Sequence, residues 1–534
     1  MASTSTAEGS ASGVYGTTDI TVKIDNLKDS ARVSEDVLAR TEIHSQIRSV
    51  IINAEEPDEL DEDGDVITTL GIEEHSADED DDANSTKSSA SGKSDVPVRV
   101  RRAAAAEKRM KRLTEPIIQI LDAVEDAGGS ISEFTWAQET WWDSAGTRPE
   151  NFWQALWKHA RTLQKLDLGF YTHEVHRTQP AEVAFPALKE IYIDCTTAHG
   201  DEGSVIEHLF KSSPNLEILS FNYPSCDLPD CQIKNITWDY TFPNLRILKV
   251  NGYDFAPNAF AAFLTKCTNV EVFCDSVDDD RYDESVDDLP TTVFPKIRAL
   301  KQSNYGTTRP LKEWFKSDSE RQIRHLALSS RRSGRYDDWA TLPNAQAIRT
   351  LEFNGEVQEW RWKVPEVDSD DDEAERDRIA GIAKDAAEGK LKPQAEAIKG
   401  LLAQLKNVQE LGVSLESGNS STWHGDGQGG GYWEDPAPMT VADVKTIIRT
   451  LPPDGNIRAL RVWDSQAGTV SEEDLADLGE MPPALHLLSW EGKEKVLYWL
   501  EKKDGKVKPK PCKPLRRKVE HSEADWTQSR ILEY

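Results

Sequence analysis

The sequence predicts an α/β fold, a leucine-rich-repeat solenoid built from irregular strand–helix units. Three observations carry that expectation. Apolar triplets spaced L-x-x-L-x-L occur along most of the 534 residues, as in "LRILKV" at Leu245, Leu248 and Val250. The first anchors of eight successive triplets stand at 163, 188, 216, 245, 270, 297, 323 and 348, in steps of 25 to 29 residues. Between them lie amphipathic stretches with apolar residues at i, i+3 and i+4. A period in the twenties with one short strand per unit is the mark of leucine-rich repeats. A lone strand with one apolar face cannot bury it, so such units gain stability by stacking.

Taken in order, residues 1–18 are small and polar and are expected to be disordered. Residues 19–53 hold the first repeats, with Val22 and Ile24 in "ITVKID" and a full triplet at Ile47, Val50 and Ile52. Residues 54–112 form an insertion, first acidic and then basic, too polar to pack a core. The repeats resume over 113–363, starting from Ile131, Phe134 and Trp136. The stretches 148–163, 203–215 and 256–269 read as their helices, two of them opening near a proline (Pro149, Pro257) that a first helical turn tolerates. Residues 364–395 are a second acidic insertion. The last repeats, 396–491, include a glycine-rich loop at 415–438, and 492–534 read as a capping hairpin around Asp504-Gly505 with a basic tail. The count comes to about 13 units.

Composition narrows the function. There are 94 acidic and 63 basic residues, a net charge of −31, which excludes general binding to a phosphate backbone. A basic protein is a chemically matched partner, and the charge also keeps the chain soluble. Six scattered cysteines with no C-x-x-C pair suggest neither a disulfide framework nor a zinc ribbon. With no secretory signal pattern and no long apolar run, the expected location is cytoplasmic or nuclear, with no membrane partner. The segment 99–112, with seven cations in fourteen residues, is balanced between a nuclear import signal and a basic helix start.

Several units open with F-P-x-L or F-P-x-I ("FPALKEIYI", "FPNLRILKV", "FPKIRAL"), and the series closes on "LHLLSW" followed by a hairpin. In this it resembles the fungal F-box/leucine-rich-repeat proteins, over roughly 19–53 and 117–500. The resemblance implies that the repeats hold a protein substrate. It also implies an adaptor subunit of a cullin-based ubiquitin ligase as a second partner, bound by an F-box. No F-box pattern precedes "VYGTTDITVKID", so the resemblance rests on the repeat region.

Catalytic and metal motifs give little. "HEVH" at 173–176 lacks a third ligand, and "ELDEDGDVITTL" at 59–70 has Leu70 where a calcium loop needs glutamate. "GDGQGGG" lacks the Lys-Ser/Thr of a phosphate loop. The chain therefore reads as a non-enzymatic protein-recognition module with no cofactor. An acidic scaffold for basic proteins, with no ubiquitin role, is the alternative.

Residues between the anchors point away from the anchor face, because strand side chains alternate. That row, with the loops leaving the strands, gives the candidate partner-binding residues: Tyr192, Asp194, Asn222, Lys249, Asn251, Glu352, Asn354, Trp360, Trp362, Arg461 and Trp463. Tryptophan and arginine are favoured at binding hot spots.

Overall fold

Parallel strands, each burying one apolar face, dominate the computed structural model. It describes residues 19–26, 30–55, 111, 114–136, 149–168, 183–194, 203–222, 238–251, 257–275, 292–302, 308–316, 319–329, 337–354, 380–381, 384, 393–415, 422–425, 431–434, 438–503, 506–512 and 526–532. The fold is mixed α/β and falls into two units, divided after Leu216.

In the first unit, β1 (Ile20–Asn26), β2 (Ile47–Glu55), β3 (Glu133–Trp136), β4 (Lys165–Asp167) and β5 (Glu190–Asp194) pair in parallel in sequence order. Helices Ser30–Leu38, 114–126, Glu150–Trp157 and Gly203–Lys211 accompany them. Its core is aromatic. Phe152 lies 5.9 Å from Phe134 and 5.5 Å from Trp136, and Trp157 stacks on Trp153 at 5.4 Å and meets Phe185 at 5.3 Å. These tryptophans are buried, so their role here is to fill the space between helix and strands.

The second unit continues the pattern. β6 (Ile218–Asn222), β7 (Ile247–Asn251), β8 (Val272–Asp275), β9 (Ala299–Gln302), β10 (His325–Ser329) and β11 (Thr350–Asn354) pair in parallel. β12 (Glu410–Ser414), β15 (Ala459–Trp463) and β16 (Leu487–Glu491) extend the ladder. Two antiparallel strands then follow, β17 (Lys495–Lys503) and β18 (Lys506–Cys512). Of the glycine-rich stretch 415–438, Thr422–Gly425 (β13) and Gly431–Glu434 (β14) form a separate antiparallel pair, with Trp423 opposite Trp433. The insertions at 54–112 and 364–395 lie almost wholly outside the described residues.

The register explains the triplets. Leu219, Leu248, Phe273, Leu300, Leu326, Leu351, Leu411, Leu460 and Leu488 meet neighbour to neighbour across the ladder and are all buried. Each contributes roughly 1.5–3 kcal/mol of burial before entropy is counted. Their line is continuous because the units repeat at one residue register. No strand satisfies its face alone.

The main chain repeats as faithfully. The Glu217 carbonyl accepts N–H bonds from Arg246 and Ile247 at 2.8 and 3.1 Å, and the Arg246 carbonyl accepts them from Glu271 and Val272. The pattern passes on through the carbonyls of Glu271, Arg298, Arg324, Arg349, Gln409 and Arg458. One carbonyl thus takes two successive donors at the entry to the following strand, which fixes the register through the main chain.

Asparagines add a second ladder that the triplet pattern does not contain. Asn215, Asn269, Asn407 and Asn456 each immediately precede a first anchor. Each donates through Nδ2 to a carbonyl two positions before the preceding first anchor. The acceptors are Pro186 (2.7 Å), Pro243 (2.6 Å), Gln346 (2.9 Å) and Lys406 (2.8 Å). Removing one such donor costs about 1 kcal/mol. Asn269→Ala and Asn407→Ala should each lower unfolding stability by that amount in urea titrations, and Asn→Asp, which keeps an acceptor but no donor, should do the same.

Candidate functional site

Strand alternation puts residues two and four after each first anchor on the face opposite the buried triplet. On β10–β12 and β15 this face carries His325, Thr350, Glu410 and Ala459 in one row, and Ala327, Glu352, Gly412 and Arg461 in the next. These residues build a buried charged cluster. Arg461 pairs with Glu352, which sits two strands away, and its Nε lies 3.6 Å from Glu410 Oε1. All three side chains are at most 5 % exposed, so the charges have left water together.

The bridge from β15 to β11 must pass over β12, and Gly412 makes the room. A Cβ built there would lie 2.9 Å from Glu352 Cγ, 3.1 Å from Arg461 Nη2 and 3.2 Å from Trp463 Cζ3. The guanidinium carbon also sits 4.8 Å from the centre of the Trp463 ring, a cation–π contact. Glycine is therefore required here for close approach rather than for its backbone freedom.

The segment 526–532 lies against the same cluster. Its first turn is a short 3-10 helix, Trp526–Ser529. The N–H of Ile531 donates to both oxygens of Glu410 at 2.9 Å, and the N–H of Leu532 donates to Oε2 at 2.8 Å. Two successive backbone N–H groups converging on one anion form a nest, which is an ordinary anion-binding arrangement. Arg530 Nη1 donates to His325 Nε2 at 2.7 Å, and the Trp526 indole meets the His325 ring edge-on with centroids 6.2 Å apart. Because arginine can only donate, His325 must present a lone pair at Nε2 and is neutral.

Electrostatics follow from this geometry. Burial pushes the Glu410 carboxyl up, and Arg461 with the two N–H donors offsets only part of that. Burial opposes the charge on Arg461, but the carboxylates of Glu352 and Glu410 outweigh it and hold the guanidinium protonated. Burial first, and then the positive charge of Arg530 and its neighbours, pushes His325 down to about 3.

Of the residues singled out in the sequence, the structure brings together Glu352, Arg461 and Trp463. Lys249 is half-buried on the same face of β7. Tyr192 is buried on β5, its hydroxyl donating to Glu190 at 3.2 Å and Lys165 lying 5.5 Å from its ring centre. Asp194, Asn222, Asn251 and Asn354 each end a strand, and their side chains are not among those described. Trp360 and Trp362 lie outside the described residues. Sequence reasoning missed His325, Glu410, Gly412 and the 526–532 segment. Extending the alternation one step back along each strand reaches His325 and Glu410; nothing local points to 526–532, which is 121 residues from Glu410.

Among the described residues no group of three or more His, Cys, Asp and Glu side chains could hold a metal ion. No described helix is long and apolar enough to cross a membrane. No protein-family model matches the chain, and comparison with curated proteins found no match.

Two outcomes follow from the cluster. Gly412→Ala forces its Cβ between packed side chains and should destabilise the protein by ~1–3 kcal/mol in urea. Gly400→Ala, in helix Pro393–Gln404 with nothing within 4 Å, should be neutral or mildly stabilising. The second concerns pH. A histidine whose folded pKa is depressed supplies stability that is fully present above its unfolded value of 6.5 and is lost as pH falls towards about 3. The slope is about 1.4 kcal/mol per pH unit in that window. Thermal melts between pH 7.5 and 5.0 should show it, and His325→Gln should reduce it, leaving the contribution of His159, which burial also pushes down.

Proposed function

We propose that this chain is a non-enzymatic protein-recognition module, a leucine-rich-repeat solenoid whose face opposite the anchors binds another protein. The observation that carries the reading is the seat on β10–β12 and β15. There a buried carboxylate takes two consecutive main-chain N–H groups of a peptide segment, while His325 on β10 meets that segment's cation and its indole. Binding by backbone groups with side-chain pockets on either side is a common mode of peptide recognition. The one-strand-per-unit parallel ladder supports the solenoid reading, since regular units present such a face at a fixed interval.

By its resemblance to the fungal F-box/leucine-rich-repeat proteins, the chain would act as the substrate-binding part of a cullin-ligase receptor. The second reading, an acidic scaffold for basic proteins, is favoured by the net charge of −31. The two differ in salt response, because exposed charge pairs are screened within about 8 Å at physiological ionic strength.

The test uses the full chain and two half-buried lysines on this face, Lys249 and Lys301. With Lys249→Glu and Lys301→Glu, recovery of one defined partner should fall at least fivefold relative to the parent in quantitative affinity purification. If no recovered protein depends on these positions, the recognition reading fails. Co-elution with the F-box-binding adaptor on a sizing column supports the ligase role, whereas a partner set of basic proteins lost at 0.5 M salt supports the scaffold.

A further inference from the structure

We propose that residues 526–532 are an internal occupant of a peptide-binding site, and that the site's external ligand is a protein segment of the same chemistry. That ligand would carry an indole, an arginine four residues further on, and then two residues whose backbone N–H groups are free. The inference rests on the protein-recognition reading and adds the ligand class and the competitor.

The seat is built as a site rather than as core. Its groups are charged and buried, an arrangement that apolar residues of similar volume usually match or better in stability. Small residues (Ala327, Gly412, Ala459) stand between the charged ones on these rows, and the segment lies against Glu410 and His325. The segment places two N–H groups on Glu410 and a guanidinium on His325, with its indole edge-on to the same His325 ring. Neither N–H bond reads the Ile531 or Leu532 side chain, so any chain with the same backbone presentation satisfies Glu410. His325 and the row around it select the cation and the ring. An occupant tethered in the same chain acts at an effective concentration in the millimolar range, so a free ligand at micromolar concentration meets a closed site.

Full-length variants open the site in two independent ways. Ile531→Pro deletes one of the two captured N–H donors, and Trp526→Ala with Arg530→Glu removes the side-chain contacts. The probe is a fluorescein-labelled peptide reproducing residues 522–534, read by fluorescence anisotropy, with circular dichroism to verify that each variant is folded. Both opened proteins should bind the peptide saturably and at least tenfold more tightly than the parent. Adding Glu410→Gln to either should cost at least tenfold in affinity, and the same peptide with proline at position 531 should bind at least tenfold more weakly. Equal binding by parent and opened proteins overturns the proposal, as does no binding by folded opened proteins. In the second case, partner recovery that still depends on Lys249 and Lys301 leaves the recognition reading standing while the internal-occupant proposal falls. Peptide binding without any such partner does the reverse.

Discussion

Each strand in the ladder is too short to be stable alone, and everything else depends on how one strand hands its register to the next. A single carbonyl, that of Arg246 for example, takes N–H bonds from two successive residues of the following strand. This repeats with little change from Glu217 to Leu487. The consequence is positional. If the strands keep one register, then a residue at a given offset from its first anchor always meets the residue at the same offset next door. Anchors meet anchors, and the intervening residues form rows on the other face. Where an asparagine precedes the first anchor, at 215, 269, 407 and 456, it reinforces this from outside the sheet by tying that turn to the one before it.

The charged cluster is possible only because of that regularity. Arg461 reaches Glu352 across an intervening strand, and the distance is fixed by the spacing of the sheet. It is open only because the residue at the matching offset in β12 is glycine. Burying three charges is unfavourable unless each finds partners, and here the partners come from four places: three strands and the 526–532 segment. The arrangement also ties the state of the segment to the proton on His325, since a protonated ring could no longer accept from Arg530. A change in pH therefore acts on the same small group of atoms that holds the segment.

The tryptophans illustrate how burial decides a role that residue type leaves open. Trp136, Trp153 and Trp157 belong to the aromatic core beside β3, and Trp314 and Trp339 are likewise buried. Trp463 is different: it is only partly covered and stacks on a buried guanidinium. Arginine and tryptophan together on a strand face suggest a binding spot by composition, yet here the arginine already has two carboxylate partners within the chain. Its charge is committed to the cluster, and the neighbouring carboxylate of Glu410 takes the N–H groups of Ile531 and Leu532.

The sequence by itself determined the strands, their alternation and the identity of the buried triplets, because these follow from local spacing: period two within a strand, and 25 to 29 residues between units. It also placed Glu352, Arg461 and Trp463 on one face. The tertiary structure alone decided that Glu352 and Arg461 pair with each other over Gly412. It alone decided that Glu410 holds the backbone of Ile531 and Leu532, and that Arg530 meets His325 over a separation of 205 residues. Those contacts join residues with no common periodicity, and their free energy depends on distances and on the loss of water, neither of which is written in the order of residues along the chain.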